Sequence, residues 1–229
     1  MLELNDYTLK INNKLLLEHT KVSFRKGVIN HILGKNGVGK SQFAKDLLLN
    51  RSGLIPSEIS KNVTIISSFS NVPNDLKVCE LFILLEKRFG LDSVTHLAHS
   101  LHATNISKTS LIGQLSDGQK QKLKLLSFFL EDKSIIVLDE ITNALDKQTI
   151  NEIYLFLLAY IKNHPKKIIL NITHNLSDLK NLKGNYYLIE DFKMIRFTNQ
   201  TEVIQKYIEG WNFGIKKNDF QQNNDYFNC

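Results

Sequence analysis

The sequence predicts an α/β fold: a mostly parallel sheet flanked by helices, with an antiparallel β edge and a helical insertion. Three observations predict it. Residues 134–138 and 167–172 are short, continuous apolar runs and 28–33 reads as a further buried strand, as expected of strands covered on both faces of a parallel sheet. The first forty residues instead alternate apolar and polar positions (Leu2, Leu4; Leu15, Leu17; Val22, Phe24), as half-buried antiparallel strands do. Between Pro73 and about Leu130 the pattern is mostly helical.

Taken in order, the strand at 28–33 runs into a Gly-rich turn and a helix beginning near Gly39. The turn, Gly34-Lys35-Asn36-Gly37-Val38-Gly39-Lys40-Ser41, fits GxxxxGK[ST] in a strand–loop–helix context. In such a P-loop the glycines let consecutive N–H groups face phosphates, and the helix N-terminus adds the positive end of its dipole. Lys40 then reaches the β- and γ-phosphates and the Ser41 hydroxyl ligates Mg²⁺, with Gln42 next to it in the binding set. The predicted architecture is therefore a P-loop NTPase core whose ligands are ATP and Mg²⁺.

A short strand at 63–66 precedes a break at 72–75, which opens a helical subdomain over about 72–128. Within it, residues 80–89 are apolar at the centre and either pack inside or present a docking face. The strand at 134–138 ends in Asp139 and Glu140, which the topology places at the carboxyl edge of the sheet beside the P-loop. Asp139 is expected to hold Mg²⁺, and Glu140 to accept a proton from the attacking water or to orient it. A helix at about 147–163 and the strand at 167–172 complete a βαβ unit. The tail from 216 to 229 is rich in Asn and Gln, so fraying or disorder is expected there.

Composition bounds the function. At 229 residues the chain can bury one sizeable core without disulfides. Its 29 Lys and Arg against 23 Asp and Glu are spread along the length, a mild excess that does not by itself point to nucleic acid. No apolar run approaches the roughly 20 residues of a membrane-spanning helix. With no secretory signal at the N-terminus, a cytoplasmic chain is expected, and any membrane role must use a partner. Cys79 and Cys229 lack metal-ligand spacing and fit a reducing compartment.

Residues Leu115-Ser116-Asp117-Gly118-Gln119, followed by a basic amphipathic stretch to Ser127, resemble the LSGGQ signature of the ABC (ATP-binding cassette) ATPases. The resemblance extends to Asn143–Asp146, similar to that family's D-loop, and to His174, similar to its switch histidine. It implies a single ABC domain over residues 1–205, with 206–229 as a C-terminal segment. It also implies a head-to-tail dimer, homomeric or heteromeric, in which Ser116, Asp117, Gly118 and Gln119 of one subunit face the γ-phosphate on the other's P-loop. Asp146 would touch the opposite subunit, and His174 would couple the γ-phosphate to Glu140.

The sequence departs from the family in four places. Ser68 stands where a Mg²⁺-binding Gln is usual, Asp117 replaces a Gly, and Ile141 replaces a Pro. Ile11 lies near the position of an adenine-stacking aromatic, and Tyr7 is the nearest ring in sequence. His96, His99 and His102 recur every three residues and are weighed as metal ligands against a solvated helix face, which is the simpler reading. The resemblance implies an ATPase subunit at the inner face of the cell membrane that powers a separate permease. The short chain favours export of a peptide, lipid or drug, or self-immunity. A soluble ABC ATPase and a degenerate regulatory cassette are the alternatives, and no nucleic-acid partner is expected.

Overall fold

The computed structural model describes residues 1–210. The chain opens with an antiparallel ribbon of β1 (Leu2–Ile11) and β2 (Lys14–Phe24). Its tip is a two-residue turn in which Asn12 (φ 47°) and Asn13 (φ 64°) are both left-handed, the backbone that a tight hairpin needs and that Asn tolerates.

The main sheet has six strands in the order β4 (Val63–Ile66), β5 (Ile135–Asp139), β6 (Ile168–Ile172), β3 (Ile29–Gly34), β7 (Gly184–Glu190), β8 (Lys193–Phe197). The first five are parallel and β8 returns antiparallel to β7. Every residue of β3, β5 and β6 is buried, the polar Asn30, His31, Asp139 and Asn171 included, which is why those segments read as mostly apolar. Because the strands are parallel and in register (Asp139 beside Ile172, and Ile32 beside Ile172), the ends carrying Gly34, Asp139 and Thr173 converge on one edge.

Helices cover both faces. The first, α1 (Lys40–Leu49), buries Phe43, Ala44 and Leu47 in a core shared with Leu9, Leu17 and Phe24 of the ribbon. A short α2 (Ser57–Ser60) precedes β4. On the opposite face lie α3 (Val78–Phe89), α4 (Leu91–Ser100), α5 (Asp117–Phe129) and α6 (Lys147–Asn163), joined in one large cluster. At its heart Phe129 meets Phe156 and Tyr160 edge to face, at 5.0 and 4.7 Å between ring centres. Helix α7 (Leu176–Asn181) and a last helix, α8, over residues 200–210 cover β7, with Leu179, Val203 and Tyr207 buried.

The ribbon hangs on the sheet at its far edge. Glu18 N–H donates to the Phe192 carbonyl (2.8 Å), Lys193 Nζ to the Glu18 carbonyl (2.7 Å), and the Tyr187 hydroxyl to the Ser23 carbonyl (2.5 Å).

The stretch at 80–89 divides between its two readings. Leu81, Phe82 and Leu85 are buried, while Ile83 and Leu84 stay more than half exposed on the other side of α3. His96 and His99 lie on α4, whereas His102 sits beyond its end with φ 52°. Among the described residues no helix is long and apolar enough to cross a membrane. The tail expected to fray at 216–229, with Cys229, lies outside the described residues.

Candidate active site

The loop between β3 and α1 takes its shape from its glycines. Gly37 (φ 79°) and Gly39 (φ 109°) both adopt backbone that side-chain-bearing residues resist, and a Cβ on Gly39 would sit 3.0 Å from that of Leu16. Gly39 also caps α1 with no side-chain acceptor, and the first turn holds no acid. The amides there remain available to an anion.

Lys40 is buried, and its Nζ donates to the carbonyls of Gly34 (2.7 Å) and Lys35 (3.0 Å), so the loop curls round its own lysine. Burial pushes this ammonium's pKa down, and the carboxylates of Glu140 and Asp139 oppose that shift.

Asp139 ends β5 facing the same place. Burial pushes its pKa up, and a hydrogen bond from Ser41 pulls it back. Among the described residues its Oδ1 is buried with no hydrogen-bond partner. A lone, desolvated carboxylate oxygen beside a hydroxyl is a donor set suited to a hard divalent cation such as Mg²⁺.

Glu140 follows in left-handed conformation (φ 56°). Its two carboxylate oxygens are separately engaged: Oε1 pairs with His174 Nδ1 at 2.9 Å, and Oε2 accepts from Asn143 Nδ2 at 2.9 Å. The carboxylate's plane is thus set from both sides. Sequence reasoning placed Glu140 and His174 here and assigned Asn143 to a different role. No periodicity marks an Asn three residues after an acid as its orienting partner.

Around these groups runs a cleft of about 600 Å³, lined by Ile11, Asn12, Lys14 and Leu16 of the ribbon, by Asn36, Gly37, Gly39, Lys40, Ser41 and Gln42, and by Glu140. Ile11 therefore does border the loop. Tyr7 does not: it is in the core, its hydroxyl 2.6 Å from Asp46 and its ring edge-on to Phe43. Lys35 and Val38 point to the other side, where they border a small hollow with Glu190 and Tyr207.

A second cleft of about 410 Å³ lies across Glu140, which lines both. It contains Ser68, Asp117 and Lys124. Ser68 is exposed at its rim. Beside it Phe69 projects into solvent, 79 % exposed, with the Lys45 ammonium 5.1 Å from its ring centre.

Ser116 caps α5 in a reciprocal box: its hydroxyl accepts from Gln119 N–H (3.2 Å) and Gln119 Oε1 accepts from Ser116 N–H (3.1 Å). Asp117 is exposed in the first turn, where the helix dipole favours its charge. Gly118 is buried, and a Cβ there would be 2.5 Å from Thr149 Oγ1. Of Ser116, Asp117, Gly118 and Gln119, none lines the P-loop cleft. Asp146 caps α6, accepting from Thr149 N–H (2.8 Å) and Oγ1 (2.7 Å), bonds that hold its carboxyl below the usual range.

The model of the ABC transporter family matches residues 17–143. The chain is 53% identical over 203 residues, 89% of its length and 97% of the relative's, to the probable peptide export ATP-binding protein YydI of Bacillus subtilis (strain 168). It is 22% identical over 232 residues to the bacitracin transport ATP-binding protein BcrA of Bacillus licheniformis, covering 91% of this chain and 74% of that one. Its fold matches a solved bacterial Atm1-family ABC exporter with ATP bound at a TM-score of 0.75 and 16% identity, over 93% of this chain and 41% of that one.

Proposed function

The chain belongs to the ABC transporter family of ATP-binding proteins, and on that premise we propose that it hydrolyses MgATP to drive a separate membrane permease that exports a peptide. The observation that carries the enzymatic part is Glu140, oriented between His174 and Asn143 at the mouth of the P-loop cleft.

Each residue then has a chemical task. The amides of residues 35–39 and of the first turn of α1 take the phosphate oxygens, and Lys40 exchanges its two carbonyl partners for phosphate. Glu140 receives a proton from the attacking water or aligns it, and His174 holds that carboxylate in place. Ser41 and Asp139 would hold Mg²⁺, which when bound offsets charge on the phosphates. Asp139 Oδ1, buried and unpaired, supports this assignment.

The clamp on the γ-phosphate comes from elsewhere. Ser116, Asp117, Gly118 and Gln119 open α5 away from the P-loop cleft, which supports head-to-tail pairing with a second copy or a sister cassette. The permease would hold this pair at the cytoplasmic face of the membrane. Peptide export is supported by the names of YydI and of the bacitracin transport protein BcrA.

The enzymatic test is Glu140→Gln. Hydrolysis should fall about 10²- to 10⁴-fold while ATP binding persists, and wild-type turnover by the variant would overturn the assignment. For the transport part, affinity purification from solubilised membranes should recover a multi-span protein with no cassette of its own. Recovery only in soluble nucleic-acid complexes would refute transport. Ser68 and Asp117 favour a second reading, a regulatory cassette beside a more active sister. Robust turnover by the purified homodimer defeats it.

A further inference from the structure

Beneath the paired Glu140 and His174 lies a buried polar network that the hydrolytic reading leaves unused. Asp178, 1% exposed on α7, stands at its centre. Its Oδ1 accepts from the Tyr154 hydroxyl (2.6 Å) and the Thr142 hydroxyl (3.0 Å), and Oδ2 accepts from Asn171 Nδ2 (3.4 Å). Asn171 in turn approaches His31 Nδ1 at 3.2 Å. The Leu182 carbonyl, 2.7 Å from His31 Nε2, can only accept, so Nε2 carries the proton and Nδ1 is left to accept from Asn171. Each of these polar groups has a partner of the right sense.

The positions of these residues along the sequence carry the inference. Thr142 is two residues beyond Glu140, on the turn that leaves β5, and Asn171 is three residues before His174, on β6. Asp178 is four residues beyond His174. One carboxylate therefore ties the segment carrying Glu140 to both flanks of the segment carrying His174. A buried carboxylate without a cationic partner is costly to keep for stability alone. Here it spans two segments whose relative placement sets a 2.9 Å contact at the site.

We propose that Asp178 is a positioning residue, which through Thr142 and α7 holds Glu140 and His174 within hydrogen-bonding distance of each other. The proposal rests on the hydrolytic reading of Glu140. Neither Asp178 nor Thr142 lines the P-loop cleft, so loss of the network should not act through nucleotide contacts.

The test uses Asp178→Asn, which keeps the shape and removes the charge, and Thr142→Val, which removes a single donor and is the milder variant should the first fold poorly. The imidazole ¹⁵N shifts of His174 are read by NMR and compared with those in Glu140→Ala, where the pair is gone. Both variants should move His174 Nδ1 toward the Glu140→Ala value, with ATP affinity within about threefold of wild type. In single-turnover hydrolysis each should slow at least about tenfold, yet add nothing further on top of Glu140→Gln. A His174 signal unmoved in both variants, or losses that multiply with that of Glu140→Gln, would overturn the proposal and leave the hydrolytic reading standing. Wild-type turnover by Glu140→Gln would instead remove the reading on which it rests.

Discussion

Gly118→Ala tests the packing that joins the start of α5 to the start of α6. A helical glycine replaced by alanine ordinarily stabilises a protein by up to about 1 kcal/mol. Here the new Cβ would lie 2.5 Å from Thr149 Oγ1 and 3.0 Å from Thr149 Cγ2. Overpacking of this kind costs about 1–3 kcal/mol. Thr149 cannot simply turn aside, because its hydroxyl donates to Asp146 at 2.7 Å, and losing that bond costs about 1 kcal/mol more. The costs outweigh the propensity gain, and the net expectation is destabilisation by about 2 kcal/mol. Urea unfolding followed by circular dichroism should show a lower midpoint at unchanged slope. The mechanism makes a second demand: Gly118→Ala made in a Thr149→Ala background should cost little or nothing, since the atoms it strikes are gone. A Gly118→Ala protein as stable as wild type, or a penalty that persists in the Thr149→Ala background, would refute the argument.

Three further outcomes follow from individual contacts. Tyr7→Phe should cost about 1–2 kcal/mol by thermal melting, because Asp46 loses its 2.6 Å phenolic donor but keeps the amide and hydroxyl of Ser52. Asp139→Asn should raise the stability of the nucleotide-free protein by about 1 kcal/mol, relieving a buried and unpaired carboxylate oxygen. The same change should abolish the extra melting temperature gained with ATP when Mg²⁺ is present. Burial lowers the pKa of His31 from 6.5 to about 4, so above pH 6.5 neither the folded nor the unfolded chain protonates it. As pH falls from there, the unfolded chain takes up the proton first, and stability worth about 3 kcal/mol is lost by pH 4. The difference between the wild-type and His31→Gln stability curves should carry that slope, and a flat difference would contradict it.

Much of this molecule is legible in one dimension. The β3, β5 and β6 segments are mostly apolar because both faces are covered, and α6 falls at Lys147–Asn163, where a helix is expected. The P-loop is readable because its glycines and Lys40 lie within one short stretch, Gly34 to Lys40, and parallel strands bring Asp139 to it by topology alone. What escaped is set by contacts across the chain. Tyr7 is in sequence only the ring nearest Ile11, and a hydroxyl partner 39 residues away makes it core. Asp178 reads as an ordinary polar residue on a short helix until Thr142, Tyr154 and Asn171 are seen to converge on it. Residues 80–89 are apolar on both sides of α3, so composition could not decide which side is covered.

The backbone at Glu140 bears on why that residue is there at all. With φ at 56°, it occupies a region where a side chain costs about 1 kcal/mol or more and glycine almost nothing. Strain alone does not mark the position, since His102, Ala144 and Phe192 share that region; what a glycine there would give up is the carboxylate that engages His174 and Asn143.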